Sequence, residues 1–413
     1  MSFDRLRRGF RNLLFAHRMP AAMVSWRLLL PTDDPQIRAH RAFWRHLREE
    51  PLPLSVTVGL ETLVWLRWAL WFAWIDTWRA VRKYAPDAIA RGGPGHARQT
   101  ALALRLALVH SIPPDDVYEF ALYRPERRAD FWRHIYSHET QAYHRWRSAG
   151  RGDWSAATDL LADKVALTDH LRALSVPVAP ILAVNSRGAT PDFARWLRDH
   201  PALFCKKRRG SRGEGAFSVS RDAAGAGFTV ALLRAIDDPR NAGTALVPRL
   251  LDTADYLIQP KLSDHPRLAA LSNTGRPIEL RVITEHALDT TRIHSAYVQV
   301  TVQSAKDPRW PDWLSFPVGN ETGRVTAPAS WTFPPRLAAD CVRVLATLGE
   351  EPLPFWPVIR NAATHAHQGV LTGAATIAWD VLITPEGPRF LEGNSGWGIG
   401  HWILLGEAPS KAV

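Results

Sequence analysis

Three side chains near the C-terminal end, Asp380, Glu392 and Asn394, have the types and spacing that a divalent-cation site needs. Two strand-like runs flank Thr384-Pro385-Glu386-Gly387, a turn signal between β-branched and aromatic residues, so 378–398 reads as a hairpin. With the turn centred on Glu386, Asp380 and Glu392 are equidistant from it and face each other, their Cβ atoms about 5 Å apart. Strand alternation returns Asn394 to the face that carries Glu392. Adjacent carboxylates repel unless a proton or a cation sits between them. Hard oxygen donors of this kind suit Mg²⁺, which takes one or two carboxylates and completes its shell from water and phosphates. The bland alternative is a solvated acidic hairpin. Gly393, Gly396 and Gly398 weigh against it, because glycine beside a ligand cluster permits close backbone approach.

A complementary, cationic chemistry lies upstream. The run 205–215 places Lys206 in a strand and follows it with Gly210, Ser211, Gly213 and Gly215 among further cations. Backbone N–H groups freed by the glycines, together with those charges, could form a flap over a polyphosphate. Neither a Walker A nor a dinucleotide-binding spacing is present. Lys164, near the start of a helix, could reach into the same cleft. Taken singly, the loop reads as a basic solvent loop and Lys164 as part of a solvated helix face. Their order carries the weight: a helical lysine, a strand lysine with a glycine loop, then the carboxylate hairpin.

The elements that must position these groups begin near residue 159, where strands alternate with helices. A helix is expected over 160–174. Strands are expected over 202–206, 216–219, 256–259, 279–284, 295–302, 375–383 and 388–392, and helices over 335–348 and 355–368. Residues 1–150 read as a helical, Trp- and Arg-rich region punctuated by proline and glycine turns. Within it, 52–78 is long enough to span a bilayer, but Glu61, Arg67 and Asp76 interrupt it and favour a buried or interfacial helix. Residues 1–19 read as a basic amphipathic helix, not a secretory signal. The tryptophans are expected mainly in the core, since indole dominates ordinary burial. Peripheral membrane attachment through these helices is the competing reading.

The chain has 413 residues, 46% hydrophobic and 22% charged, with 18 Trp, 31 Pro and a formal charge of +11. That length implies two domains, with three as the alternative, and the change of texture sets them at 1–150 and 151–413. The composition fits neither wholesale disorder nor a multi-span membrane protein. Two cysteines, Cys205 and Cys341, give no disulfide framework and no zinc spacing, which points to a reducing cytoplasm. No recognition-helix or RNA-binding signature accompanies the basic charge, so nucleic acid is not an expected partner. His134, His138, His365 and His367 are assigned no role.

The ordered set resembles the ATP-grasp superfamily, and its wording resembles the sugar-transfer-associated branch related to the α-L-glutamate ligases. The resemblance covers 159–402 and is carried by YLIQPKL (256–262), ELRVIT (279–284), LPFWP (353–357) and WDVLITPEGPRFLEGNSGWG (379–398). It implies an α+β, ATP-grasp fold of two α/β subdomains gripping ATP, the lid subdomain being about 178–258, preceded by the helical region. Lys164 and Lys206 resemble the lysines that contact ATP phosphates, and Gly210 to Gly215 the lid loop. Ile258, Gln259, Pro260, Lys261 and Leu262 resemble the hinge that receives adenine and ribose. Arg281 resembles the arginine that stabilises the γ-phosphate and the acyl-phosphate made from it. Asp380, Glu392 and Asn394 resemble the ligands of Mg²⁺, with Mn²⁺ an alternative.

The chemistry implied is an ADP-forming carboxylate–amine ligation of a small-molecule carboxylate to an amine or sugar-linked acceptor. A kinase-like phosphotransferase and a low-turnover, membrane-tethered ATP-binding module are the alternatives. The implied setting is cytoplasmic, with attachment to the inner face of the membrane as an option. The chain departs from the family in having Ala378 where many peptide-forming relatives carry arginine. It also has Asp312-Trp313 and Asn320-Glu321-Thr322-Gly323 where related sequences show Asp-Asn and Gly-Gly.

Overall fold

A computed structural model describes residues 31–46, 54–129, 131–210, 213–222, 227–233, 246–272, 274–303 and 311–398. The helix expected over 1–19 and Ser211 of the glycine loop lie outside the described residues. The fold class is α+β, and the chain forms two compact units. One comprises Met1–Gly150, Ala327–Val342 and Gly396–Val413, the other Arg151–Thr326 and Arg343–Ser395. The N-terminal segment of the first unit ends at Gly150, and the second unit is not one continuous stretch.

Among its described N-terminal residues the first unit is helical. Asp34 caps the helix Pro35–Arg45, its carboxylate accepting from the Gln36 amide at 2.9 Å, with proline at the position where a missing N–H costs nothing. Leu54–Arg67, the π-helical turn Trp68–Phe72 and Ala73–Ala90 run on as one helix. Its inner face packs on the helix His96–His110, with Trp68, Ala73 and Ala107 all fully buried. The indole N–H groups of Trp65 and Trp68 donate to the carbonyls of Leu108 (3.3 Å) and Ala107 (3.1 Å). The expectation of core tryptophans holds for Trp68 and fails for Trp71, Trp74 and Trp78, which are exposed. At 3.6 residues per turn a long apolar run has two faces, and only one of them meets the unit's interior.

The second unit is built on two five-stranded antiparallel sheets. The first contains β1 (Ala183–Asn185), β2 (Ala202–Lys207), β3 (Phe217–Arg221), β4 (Phe228–Leu232) and β5 (Tyr256–Pro260), in the order β1-β5-β2-β3-β4. Its core includes Leu203, Cys205, Phe217, Val219, Tyr256 and Ile258. The second contains β6 (Glu279–Ala287), β7 (Thr290–Val302), β8 (Asp312–Val318), β9 (Thr376–Thr384) and β10 (Gly387–Asn394), in the order β10-β9-β6-β7-β8. Every residue of β9 is buried, as a strand covered on both faces requires. Backbone bonds tie the second sheet to the segments flanking the first: the Phe390 amide donates to the carbonyl of Pro177, ahead of β1 (2.8 Å), and the amide of His265, beyond β5, to that of Ile383 (2.7 Å).

The strands absent from the sequence reading, β1, β4 and β8, are all edge strands. Edges bury one flank only, so their residues need no strong apolar pattern, and β8 tolerates Pro317. The single helix expected over 160–174 is instead two helices, Trp154–Ala162 and Lys164–Ala173. Asp163 causes the break, adopting an extended backbone while its carboxylate accepts from the amides of Val165 (3.1 Å) and Ala166 (3.3 Å).

Candidate active site

The hairpin reaches the expected pairing by an unexpected route. Its turn is the two-residue Pro385-Glu386, with Thr384 opposite Gly387, a register that would set Asp380 against Leu391. A β-bulge between Phe390 and Glu392 absorbs Leu391 and brings Glu392 opposite Asp380. The Leu391 carbonyl accepts from the Lys206 ammonium at 3.3 Å. Gly393 has a different purpose from the one its position suggested. A Cβ there would lie 2.7 Å from the Trp379 ring and 2.9 Å from Leu161, so the glycine serves packing rather than approach of a ligand.

Across the sheet, Arg281 on β6 lies opposite Asp380 on β9 and opposite Tyr297 on β7. Its Nε and Nη2 donate to Asp380 Oδ1 at 2.7 and 2.6 Å, and Nη2 also reaches Glu279 at 3.0 Å. The Asn394 amide donates to the other Asp380 oxygen at 3.3 Å. Burial pushes the Asp380 carboxyl well above its ordinary range, reinforced by Glu279 and Glu392 and only partly opposed by Arg281. Burial also acts to raise Glu392, but Lys206 and Lys164 outweigh it and hold that carboxyl below its usual value. Of the facing pair, Glu392 is charge-balanced by the lysines and Asp380 by Arg281. Burial lowers Arg281, yet Asp380 and then Tyr297 and Glu279 raise it. Burial lifts the Tyr297 phenol to about 12 against the pull of Arg281.

The lysines arrive from two further elements. The break at Asp163 makes Lys164 the first residue of its helix, where it is buried. Its ammonium donates to the Gly210 carbonyl at 2.6 Å and sits 3.6 Å from Glu392. Asp163 in turn pairs with Arg208 at 2.7 Å and Arg209 at 3.4 Å, which fastens the start of the glycine loop to the helix. Desolvation pulls Lys206 down to about 8; Glu392 and Asp380 work against that, and Lys164 adds to it. In the loop, Gly215 has φ +69, its carbonyl accepts from Tyr256 at 3.1 Å, and a Cβ would fall 2.8 Å from that hydroxyl. Gly210 and Gly213 also have positive φ.

Ile258, Gln259 and Pro260, the expected hinge, belong to β5, hemmed between β1 and β2. The buried Gln259 side chain donates to the Pro180 carbonyl at 3.2 Å, and the Lys261 amide to that of Ala202 at 2.9 Å; Leu262 follows the strand. The structure thus gathers Lys164, Lys206, Gly210, Arg281, Asp380, Glu392 and Asn394 in one network. Four participants were not anticipated: Glu279, Tyr297, Asp163 and Arg208. Glu279 had a signal, lying two residues from Arg281 on the same face of a strand; Tyr297 had none short of knowing which strands pair. His367 is a core residue, its ring nitrogens bonded to Thr284 (2.9 Å) and the Ala374 carbonyl (2.8 Å). A cavity of about 670 Å³, lined by His286, Thr291, Asn361, His365, Gln368 and Thr372 among others, includes none of the expected site residues.

The donor set fits a hard cation that draws on an external ligand. Among the described residues no three His, Cys, Asp or Glu side chains group as a metal site, so a self-sufficient protein cage is not what these residues form. Two carboxylates and one amide match Mg²⁺ or Mn²⁺ completed by phosphate and water. Asn394 offers its carbonyl oxygen after a half-turn of the amide, an orientation that heavy-atom positions leave open.

No family model matches the chain, and no curated protein matches it. Among solved structures, the D-alanine–D-alanine ligase from Coxiella burnetii is similar at 12% identity and a TM-score of 0.34, over 59% of this chain and 50% of that one. The VanG D-Ala:D-Ser ligase from Enterococcus faecalis is similar at 11% identity and a TM-score of 0.36, over 63% and 60%. The ATP-grasp ligase PsnB, complexed with a minimal precursor, is similar at 14% identity and a TM-score of 0.31, over 70% and 67%. The chain therefore spans about half the length of the first of these ligases, and the likeness at such TM-scores is partial.

Proposed function

We propose that the second unit is an ATP-grasp domain that binds Mg-ATP and activates a substrate carboxylate as an acyl-phosphate, which an amine or sugar-linked nucleophile then attacks. The observation that carries the reading is the convergence of two lysines from separate elements on a facing carboxylate pair: Lys164 is 3.6 Å from Glu392, and Lys206 rests on the bulge carbonyl beside it. Lys164 and Asp380 are buried and Lys206 and Glu392 half-buried, a costly gathering of charge for structure alone. Polyphosphate and a divalent ion would satisfy both halves. Asp380, Glu392 and Asn394 would hold Mg²⁺ or Mn²⁺, which supplies charge neutralisation at the phosphates.

Within this reading Lys206 and Lys164 face the phosphate oxygens. Arg281 follows the γ-phosphoryl group as charge spreads over it. The loop carrying Gly210, Gly213 and Gly215 excludes water from the acyl-phosphate, and residues 258–262 receive the adenine and ribose. The sugar-transfer-associated branch belongs to the proposal on the strength of the motifs at 256–262 and 379–398.

The test is incubation of the full chain with Mg-ATP and a panel of amino acids and sugar acids, scoring ADP, AMP and phosphate. ADP and phosphate should appear only with a competent carboxylate and nucleophile. Asp380→Asn and Glu392→Gln should each lower turnover roughly 10²-fold or more while remaining folded. AMP with pyrophosphate, or a stably phosphorylated acceptor, would overturn the ligase chemistry.

A further inference from the structure

We propose that the exposed apolar stripe of the helix Leu54–Ala90 seats the protein on an anionic lipid surface. Leu63, Leu66, Leu70, Trp71, Trp74 and Trp78 recur at helical spacing and all face outward; Leu70 is 77% and Trp71 64% exposed. From Leu63 to Trp78 the stripe is about 22 Å long at 1.5 Å per residue. The π-helical turn shapes it. Its extra residue, closed by the bond from the Ala73 amide to the Trp68 carbonyl, keeps Trp68 and Ala73 in the core while Leu70 and Trp71 both turn outward.

Charge and polarity identify lipid as the occupant. Glu61 is buried, and the one carboxylate within 63–78, Asp76, is half-buried and paired with Arg79 at 3.5 Å. Two exposed polar groups on this part of the helix are satisfied within it: the Thr62 hydroxyl donates to the Val58 carbonyl (2.8 Å) and the Trp74 indole to that of Ala69 (3.0 Å). Entry into hydrocarbon therefore strands neither donor. Just beyond the last tryptophan come Arg79, Arg82 and Lys83, with the Arg82 guanidinium 5.5 Å from the Trp78 ring. An apolar stripe ending in indole and then cations matches the boundary between acyl chains and anionic headgroups.

Among the described residues Val58–Ala90 is the one helix long and apolar enough to cross a membrane. Its opposite face carries Val64, Trp68, Thr77 and Ala80 into the interior of the unit, so the helix lies along the surface rather than through it.

The test is flotation of the full chain with phosphatidylcholine vesicles, with and without phosphatidylglycerol. The chain should float with the anionic vesicles and detach as salt rises. Replacing Trp71, Trp74 and Trp78 together by serine should weaken flotation roughly tenfold or more. Arg82→Glu with Lys83→Glu should abolish the preference for phosphatidylglycerol. Because these side chains are exposed, far-UV circular dichroism and the Tm should stay near those of the parent; Leu70→Lys gives a milder version if the triple variant unfolds. Undiminished flotation of the variants overturns the proposal. So does a parent that never floats, including one whose oligomeric state changes on loss of the stripe, which would identify a protein partner instead. No nucleotide enters the assay, so failure here leaves the ligase reading untouched.

Discussion

At the scale of single residues, the site is a chain of charge running from Glu279 through Arg281 to Asp380 and on to Glu392 and the two lysines. Arg281 is the link with the most partners, and its fork reaches two carboxylates that a lysine could not bridge together. Arg281→Lys should therefore keep the charge but lose the geometry. The expected outcome is a fall of about 10²-fold in turnover, with a smaller change in nucleotide affinity, measured by ADP release and by titration of a fluorescent ATP analogue. Equal losses in both would make Arg281 a binding residue only. Asp380, Glu392, Asn394 and Lys206 were legible beforehand because strand alternation and a hairpin turn are local properties. Tyr297 and Glu279 take their roles from the order β9-β6-β7, which joins positions far apart in sequence and leaves no local trace.

At the scale of elements, two small irregularities position the chemistry. One is the bulge that takes up Leu391; the other is the break at Asp163, which the apolar pattern of 160–174 conceals because both helices keep the same inward face. Asp163 combines a capping role with an ion-pair role, and substitution separates them. Asp163→Ala should lose the cap, worth about 1 kcal/mol, and release Arg208 and Arg209 as well. Asp163→Asn should keep most of the cap and lose only the ion pairs. The Tm should accordingly fall more for alanine than for asparagine. The KM for ATP should rise for both, because the loop proposed to cover the phosphates loses its anchor in either case. An asparagine variant with unchanged KM would mean that the arginine pairs do not set the loop. The strands missing from the sequence reading, β1, β4 and β8, lie at sheet edges, where pairing alone suffices; the fourth edge strand, β10, is readable because a turn signal joins it to the apolar β9.

At the scale of the whole molecule, several buried groups pull the response to pH in opposite directions. Burial lowers His134 to about 3 and His144 and His367 to about 4, so these rings stay neutral in the fold. The unfolded chain protonates them near the ordinary 6.5. It therefore binds more protons than the native state below that pH, and their contribution falls on acidification. Asp116, pushed well above its ordinary value by burial, and Asp264, pushed up to about 6 by burial, act the other way, since the native state holds their protons longer. A single melt against pH sums these opposed effects, but a difference between two chains isolates one of them. His134 is the clean choice, because it stacks on Phe120 with ring centroids 4.5 Å apart and neither ring nitrogen has a hydrogen-bond partner among the described residues. His134→Phe keeps the stack and removes the group that resists protonation. Relative to the parent, its stability should improve by about 1.6 kcal/mol between pH 6.5 and pH 5, the slope reaching 1.36 kcal/mol per pH unit only once the unfolded ring is fully protonated. Paired denaturant titrations at the two pH values measure this directly. A constant difference between parent and variant would show that His134 takes up its proton in the native state as easily as in the unfolded chain.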